Sequence, residues 1–419
     1  MVPEERMPLR EADFTSHNLK TDSDIEQYLE LLRKVWSDDV GVAKLAKKLI
    51  DYHPGMTLNN FFVIKHKGKM VSTLNLIPVT WSIGGIHLKV AEMGHVGTLP
   101  EYRGKGLIQR MVDEYHEEVQ KQGYDIAVIE GIPYFYRQFG YEYTLPLLEE
   151  TRIRLDQIPE WKTNVKIRVF AEKDLPKAKR LLEQSQRKFY VHSVRDETIW
   201  KTQQKTSIAS DPEPFQGYVV EEQGRMIAYF RMREIPKEKG LLLTEITEVD
   251  QLAAQAVLNF LKNHGNQHHL ENLFANISYE EPFAEYLVSL GALKRVPTYA
   301  WQIRITDYVN IFQKLKPLLE HRLANSMYKR LTETLDFNFR VFTVQVIVKD
   351  GKIIDIRKID KGERSPIGLN PLAFVQLFMG YRDRQELEET VPDIRVAVSH
   401  RYLIDILFPK MPSYIHSAY

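Results

Sequence analysis

The sequence predicts a mixed α/β chain of the α+β class, divided into two or three domains. Three observations carry this. Pairs of strand-like runs, each joined by a short charged turn with glycine, recur along the chain. Amphipathic helical runs separate them. A hydrophobic content of 43% over 419 residues is enough for more than one core.

Composition removes several function classes. The formal net charge of +1 gives no global basic surface, so no nucleic-acid partner is expected. The chain has no cysteine, which excludes disulfide scaffolds, thiolate metal sites and a cysteine nucleophile together. No run approaches the ~18 apolar residues of a membrane span, and the first residues lack the apolar core of a signal peptide. A cytoplasmic protein without a membrane partner is the expectation.

The elements follow in order. Residues 25–36 have helical spacing, with Ile25, Leu29, Leu32 and Trp36 along one side and Thr21 or Asp22 as cap. A short helix is expected over 42–50. Residues 60–76 read as a hairpin about Lys67-Gly68, with Phe62, Ile64, Val71 and Thr73 in its strands. Residues 86–92 continue the sheet, and a separate strand is expected over 94–99. The chain then turns at Leu99-Pro100-Glu101 and becomes glycine-rich at Arg103-Gly104-Lys105-Gly106. A helix to about residue 122 follows, with Leu107, Ile108, Met111 and Val112 on one stripe. Gly104 and Gly106 remove side chains where a ligand would approach the backbone, and the helix start leaves unpaired N–H groups. Together they form an anion site. The pattern is not Gly-x-Gly-x-x-Gly and lacks the Gly-Lys-Ser/Thr ending of a nucleotide loop, which argues against dinucleotides and nucleoside triphosphates. Residues 125–129 form the next strand, 131–139 a turn and short helix, and 141–145 the last strand of this part.

Two of these segments carry a resemblance. The run from Val96 to Leu107, VGTLPEYRGKGL, resembles the acyl-coenzyme A motif of the GNAT N-acetyltransferases. The run from Pro133 to Tyr141, PYFYRQFGY, resembles the motif that closes the same fold. The resemblance implies acetyl-CoA as co-substrate. The backbone of Val96, Gly97 and Thr98 would meet its pantetheine arm, and Arg103, Gly104, Lys105, Gly106 and Leu107 would surround its pyrophosphate. Glu101 stands where the family has Arg or Gln, which removes a side-chain role there and leaves the backbone cradle.

The reaction implied is direct attack of an amine on a thioester. It needs a proton acceptor for the amine, a donor for the leaving thiolate and a donor for the carbonyl oxygen. It requires neither a nucleophilic residue nor a metal, and no metal ligands are assigned. Within the family the chain resembles the multi-domain enhanced-intracellular-survival group. That resemblance implies Tyr136 as general acid, and helices near Trp36 as one wall of the acceptor pocket. Glu92, just before the cofactor strand, is a candidate base or substrate anchor. His95 is another candidate base, since an unperturbed histidine titrates near working pH.

A second, quieter copy follows. Residues 217–232 (GYVVEEQGRMIAYFRM) parallel 61–76 (FFVIKHKGKMVSTLNL), and 281–292 echo 134–140. Residues 241–249 read as a strand and 250–264 as a helix. Asp174 is expected to cap a helix through 186. The glycine loop is missing: Glu248 and Asp250 stand where a pyrophosphate would lie. The expected division is a GNAT-like domain over 1–155, a degenerate GNAT-like copy over 156–300, and a third domain over 301–419. In the third, residues 309–323 read as a helix, 337–348 as one alternating strand, and Asp350-Gly351 as a hairpin turn before 352–359. Helices follow over 371–378, capped by Asn370, and over 399–408. This part resembles the sterol-carrier-like domain that closes the same group. The resemblance further implies that the terminal carboxylate, here on Tyr419, enters the active site, and that the protein is a homo-oligomer, with a hexamer one candidate. Acceptors remain open among aminoglycosides, polyamines, protein lysines and metabolite amines. The competing reading is a protein that binds an apolar ligand in its third domain.

Overall fold

The computed structural model describes residues 13–39, 41–207, 214–295, 300–360 and 365–416. The first part contains β1 (Phe14–Asn18), α1 (Asp22–Val35), α2 (Gly41–Tyr52), β2 (Phe61–His66), β3 (Lys69–Ile83), β4 (Ile86–Thr98), α3 (Leu107–Lys121), β5 (Ile126–Ile129) and β6 (Glu142–Pro146). Thr21 caps α1: its hydroxyl accepts from the Asp24 N–H at 3.1 Å, while Asp24 accepts the Thr21 N–H at 3.2 Å. The β2–β3 turn places Lys67 and Gly68 at φ of 49° and 81°, as a tight hairpin requires.

The strands expected over 86–92 and 94–99 are one strand, β4. Its pairing with β3 slips between Thr73↔Gly97 and Asn75↔Gly94. His95, at φ 48°, absorbs the extra residue as a bulge. A bulge interrupts the alternation of side chains, which is why the sequence reads as two strands.

The second part contains β7 (Thr151–Arg154), β8 (Lys166–Val169), α4 (Leu175–Gln186), β9 (Val191–Val194), α5 (Glu197–Thr206), β10 (Gln216–Glu222), β11 (Arg225–Ile235), β12 (Gly240–Ile246), α6 (Gln251–Gln267), β13 (Asn272–Ala275), α7 (Pro282–Ser289), β14 (Leu293–Lys294) and β15 (Ala300–Ile305). The first sheet runs β1-β2-β3-β4-β5-β15-β6, and the second runs β8-β10-β11-β12-β13-β7-β14. Apart from β9, which also pairs with β3 in the first sheet, the two orders superimpose strand for strand, so the internal repeat is a repeat of fold. Strands cross between the sheets: β7, which follows β6 in the chain, enters the second sheet, and β15, which follows β14, enters the first, both antiparallel to their neighbours. Sheet boundaries therefore differ from the chain boundaries expected at 155 and 300. Asp174 caps the turn before α4 rather than α4 itself. Its carboxylate accepts the Ala171 N–H at 2.8 Å and pairs with Arg168.

On one face of the second sheet, α6 covers an apolar core that includes Leu241, Leu243 and Phe230. On the other face lie Trp200 and Tyr229, beside buried Arg195, Arg231 and Glu245. Arg195 donates to Gln203 at 2.9 Å and to Glu245, and Arg231 lies 3.4 Å from Glu245.

The third part contains α8 (Tyr308–Ala324), β16 (Glu333–Asn338), β17 (Thr343–Lys349), β18 (Lys352–Ile359), β19 (Ile367–Gly368), α9 (Pro371–Phe378), α10 (Arg384–Thr390), β20 (Arg395–Val396) and α11 (Val398–Leu407). Its sheet runs β18-β17-β16-β19-β20. The single strand expected over 337–348 is the end of β16, a turn and β17. The Phe339 N–H bonds to the Phe342 carbonyl at 2.9 Å, and Arg340 turns at φ 70°. The rings of Phe312, Phe337, Phe374 and Phe408 interlock between sheet and helices, with Phe312 4.7 Å from Phe337 and Phe374 5.5 Å from Phe408.

The third part docks on the first, and the two share one apolar cluster. Buried Asp125 receives Lys314 at 2.6 Å and Asn310 at 2.8 Å. The tail pairs with β9 through the Tyr414 N–H and the Val191 carbonyl at 3.0 Å, and the Tyr414 hydroxyl donates to the Asn276 carbonyl at 3.0 Å. Tyr419 lies outside the described residues. Among the described residues no helix is long and apolar enough to cross a membrane.

Candidate active site

The site begins where two parallel strands part. β4 and β5 pair at Val90↔Ile126, Ala91↔Ala127 and Glu92↔Val128, and not beyond. Past that rung β4 runs through the bulge to the glycine loop, while the chain after β5 runs to Tyr136. The opening is a cavity of about 640 Å³. All eight predicted cofactor residues line it: Val96, Gly97, Thr98, Arg103, Gly104, Lys105, Gly106 and Leu107. Tyr136 and Trp36 line it as well.

The loop fits an anionic ligand. Gly104 and Gly106 have φ of 73° and 74°, and a Cβ at either would meet nothing within 4 Å. Their backbone is bare to the cavity. Gly106 caps α3, whose first turn leaves the N–H groups of Leu107, Ile108 and Gln109 without helical acceptors. Lys105 adds a positive charge. Arg103 turns its Nε back to the Thr98 carbonyl at 3.2 Å, which ties the loop to the strand end. Glu101 faces Lys69 at 3.7 Å instead, so its departure from the family pattern does not touch the cradle. Gly97 allows the close packing of α1: a Cβ there would stand 2.6 Å from both Trp36 and Val35.

Tyr136 is buried, with Phe135 edge-on at 5.0 Å and Tyr141 at 6.2 Å. The Cδ2–Cε2 side of its ring rests on Gly131, where a Cβ would lie 2.2 Å from Cε2. The Gly131 carbonyl accepts from Gln302 Nε2 at 2.7 Å, so β15 fixes the seat on which the ring rests. Glu92 is buried at the last β4–β5 rung, outside the cavity wall.

His95 carries a structural role. Its Nδ1 meets the Tyr28 hydroxyl at 3.2 Å and Asn75 Nδ2 at 3.0 Å, which anchors the bulge. Burial pulls its pKa down to about 4, so the ring is neutral at pH 7.

Glu130 was missed by sequence reasoning. It follows β5 directly and precedes the glycine under Tyr136. Surrounding protein pushes its carboxyl up to about 7 by desolvation, although the residue remains open to solvent. The residue lies at the protein–solvent boundary, outside the residues that line the cavity. The available signal was its place between a buried apolar strand and a glycine.

Residues 18–144 match the family model of the acetyltransferase (GNAT) domain. The chain contains a GNAT domain. Such a domain supports acyl transfer to an amine. No curated protein matches the chain closely enough to be informative. Solved structures with a similar fold include a GCN5-related N-acetyltransferase from Anabaena variabilis, at 18% identity and a TM-score of 0.74. A probable N-acyltransferase from Enterococcus faecalis follows at 16% and 0.72. Eis1 from Mycobacterium abscessus stands at 14% and 0.63. Each comparison covers 97% of this chain and 100% of the other. At these identities the likeness is one of fold, and it extends from the GNAT domain through the second and third sheets.

Proposed function

We propose that the protein is an N-acetyltransferase that moves an acetyl group from acetyl-CoA to an amine by direct attack. One observation carries this reading: a bare glycine loop at a helix start and a buried tyrosine line the same cavity, at the point where β4 and β5 part. The loop of Arg103 to Leu107 takes the pyrophosphate, and the free edge of β4 at Val96, Gly97 and Thr98 takes the pantetheine. That places the thioester beside the strand divergence.

The amine nitrogen attacks the carbonyl carbon and the carbon–sulfur bond breaks. The leaving thiolate takes the Tyr136 hydroxyl proton, and the nitrogen gives its proton to a carboxylate. Glu92 and the α-carboxylate of Tyr419 are the assigned groups, with Glu130 a third candidate. Freed β4 N–H groups stabilise the charge on the carbonyl oxygen. The acceptor classes are aminoglycosides, polyamines, protein lysines and metabolite amines. We assign the third domain a sterol-carrier-like fold and a structural role, because its interlocked phenylalanines fill the space a lipid would need. A cytoplasmic homo-oligomer completes the proposal.

The test is a screen of amine classes read by coenzyme A release. Tyr136→Phe should lose about 10²–10⁴-fold in kcat, the usual worth of a general acid, with acetyl-CoA affinity unchanged. Extending the chain beyond Tyr419 should lower activity more than thermal stability. A Tyr136→Phe enzyme as fast as the parent, or acetyl-CoA binding untouched by enlarging Gly104, would remove the reading.

A further inference from the structure

We propose that Glu234, His264 and His268 form a zinc site on the second, loop-less GNAT-like copy. His264 lies in the last turn of α6 and His268 is its C-cap four residues on, so the two rings fall on one side of the helix end. Their rings stack with centroids 4.4 Å apart and planes within 6° of parallel. Both point a nitrogen at one oxygen of Glu234 on β11: His264 Nε2 at 2.8 Å and His268 Nδ1 at 3.1 Å. The three ligand atoms all lie within 4.8 Å of one another.

The dimensions suit a small tetrahedral ion. Zinc with ligands near 2.1 Å has ligand–ligand edges of about 3.4 Å. The separations of 2.8 and 3.1 Å, and a third no longer than 4.8 Å, are close to that spacing. Two imidazoles and one carboxylate are a borderline donor set, which favours zinc over magnesium or calcium. The fourth position is open to water, since the His268 side chain is 47% exposed. The pair occupies the C-terminal end of α6, where the helix carbonyls favour a cation. Phe260 packs beside the His264 ring at 6.1 Å and limits its orientation.

The site stands apart from the acyl-transfer cavity, whose lining comes from the first copy. A bound ion would tie α6 to β11, across a segment that includes β12 of the second sheet. In the first copy the equivalent helix, α3, presents its N-terminus to a ligand. Here α6 would present its opposite end.

The experiment uses the full chain, freed of metal by a chelator and titrated with zinc chloride against a chromophoric chelator. One saturable equivalent is expected, with a zinc-dependent rise in the thermal midpoint. His264→Gln and His268→Gln should each weaken binding by at least tenfold. Glu234→Gln should weaken it and shrink the thermal shift, while magnesium chloride should produce no shift. The metal-free variants should keep the parent's circular dichroism, which separates lost ligands from lost fold. Equal zinc affinity in the His264→Gln/His268→Gln double variant would overturn the proposal. So would the lack of saturable uptake by the parent.

Discussion

A single methyl group at position 131 tests whether the place of the Tyr136 hydroxyl matters as much as its presence. The Cβ of Gly131→Ala would stand 2.2 Å from Tyr136 Cε2, 2.3 Å from Cδ2 and 3.1 Å from Cζ. Carbon atoms rest at about 3.5–4.0 Å, so the ring must retreat by roughly 1.3 Å or more. It has little room, because Phe135, Phe139 and Tyr141 surround it. The φ of Gly131 is not in the left-handed region, so the conflict is with the ring and not with the backbone. Overpacking of this kind costs about 1–3 kcal/mol of stability. A reacting group displaced by about 1 Å loses on the order of 10²-fold in rate. The assay is kcat by coenzyme A release, with the thermal midpoint measured to show that the variant is folded at assay temperature. Gly131→Ala should fall by that order, and the Gly131→Ala/Tyr136→Phe double should be no slower than the slower single. Parent-like kcat in Gly131→Ala would refute the reasoning, and so would full multiplication of the two effects.

Two further predictions rest on charged side chains. Glu130 titrates near pH 7 because desolvation disfavours its charged form, so its carboxylate builds up as pH rises through that value. If that carboxylate draws in or deprotonates the amine, kcat/KM rises through the same window, and Glu130→Gln flattens the pH profile; an unchanged profile would exclude Glu130 from the proton path. Glu245→Gln removes the counter-charge of Arg195 and Arg231, both fully buried, and burial already pulls Arg195 down to about 10. The loss should be about 3–5 kcal/mol in denaturant unfolding, and a loss under about 1 kcal/mol would show that Glu245 is not their essential partner.

Local patterns were legible where local physics decides the structure. The Thr21 cap, the Lys67-Gly68 turn, the glycine loop and the Asn370 cap all depend on a few neighbouring residues, and all form as the sequence reads. The eight residues predicted to meet a cofactor come together for the same reason: strand end, loop and helix start are contiguous. Legibility failed where chain-distant pairing decides. Nothing in residues 300–305 announces that they enter the first sheet between β5 and β6, because an alternating strand fits any sheet with a free edge. The bulge at His95 was hidden because one inserted residue looks like the end of one strand and the start of another. The turn at 339–342 was hidden because apolar alternation continued through it. Glu130 gave no motif. Its role is a matter of the mass of protein around it, which a sequence does not display.

The exchanged strands couple the second copy, which lacks the glycine loop, to the first, which has it. β15 belongs in sequence to the second copy, yet it lies between β5 and β6 and carries Gln302. The Gln302 amide holds the Gly131 carbonyl at 2.7 Å, and Gly131 is the surface on which the Tyr136 ring rests. The Tyr136 ring is thus positioned through a strand that arrives more than 150 residues later in the chain. In return β7 closes the second sheet against β13 and β14. A chain cut after residue 155 would leave the facing edges of β5 and β6 unpaired and the seat of Tyr136 unheld. It would also carry β7 without its sheet. The fold of the second copy therefore supports the seat of Tyr136 in the first.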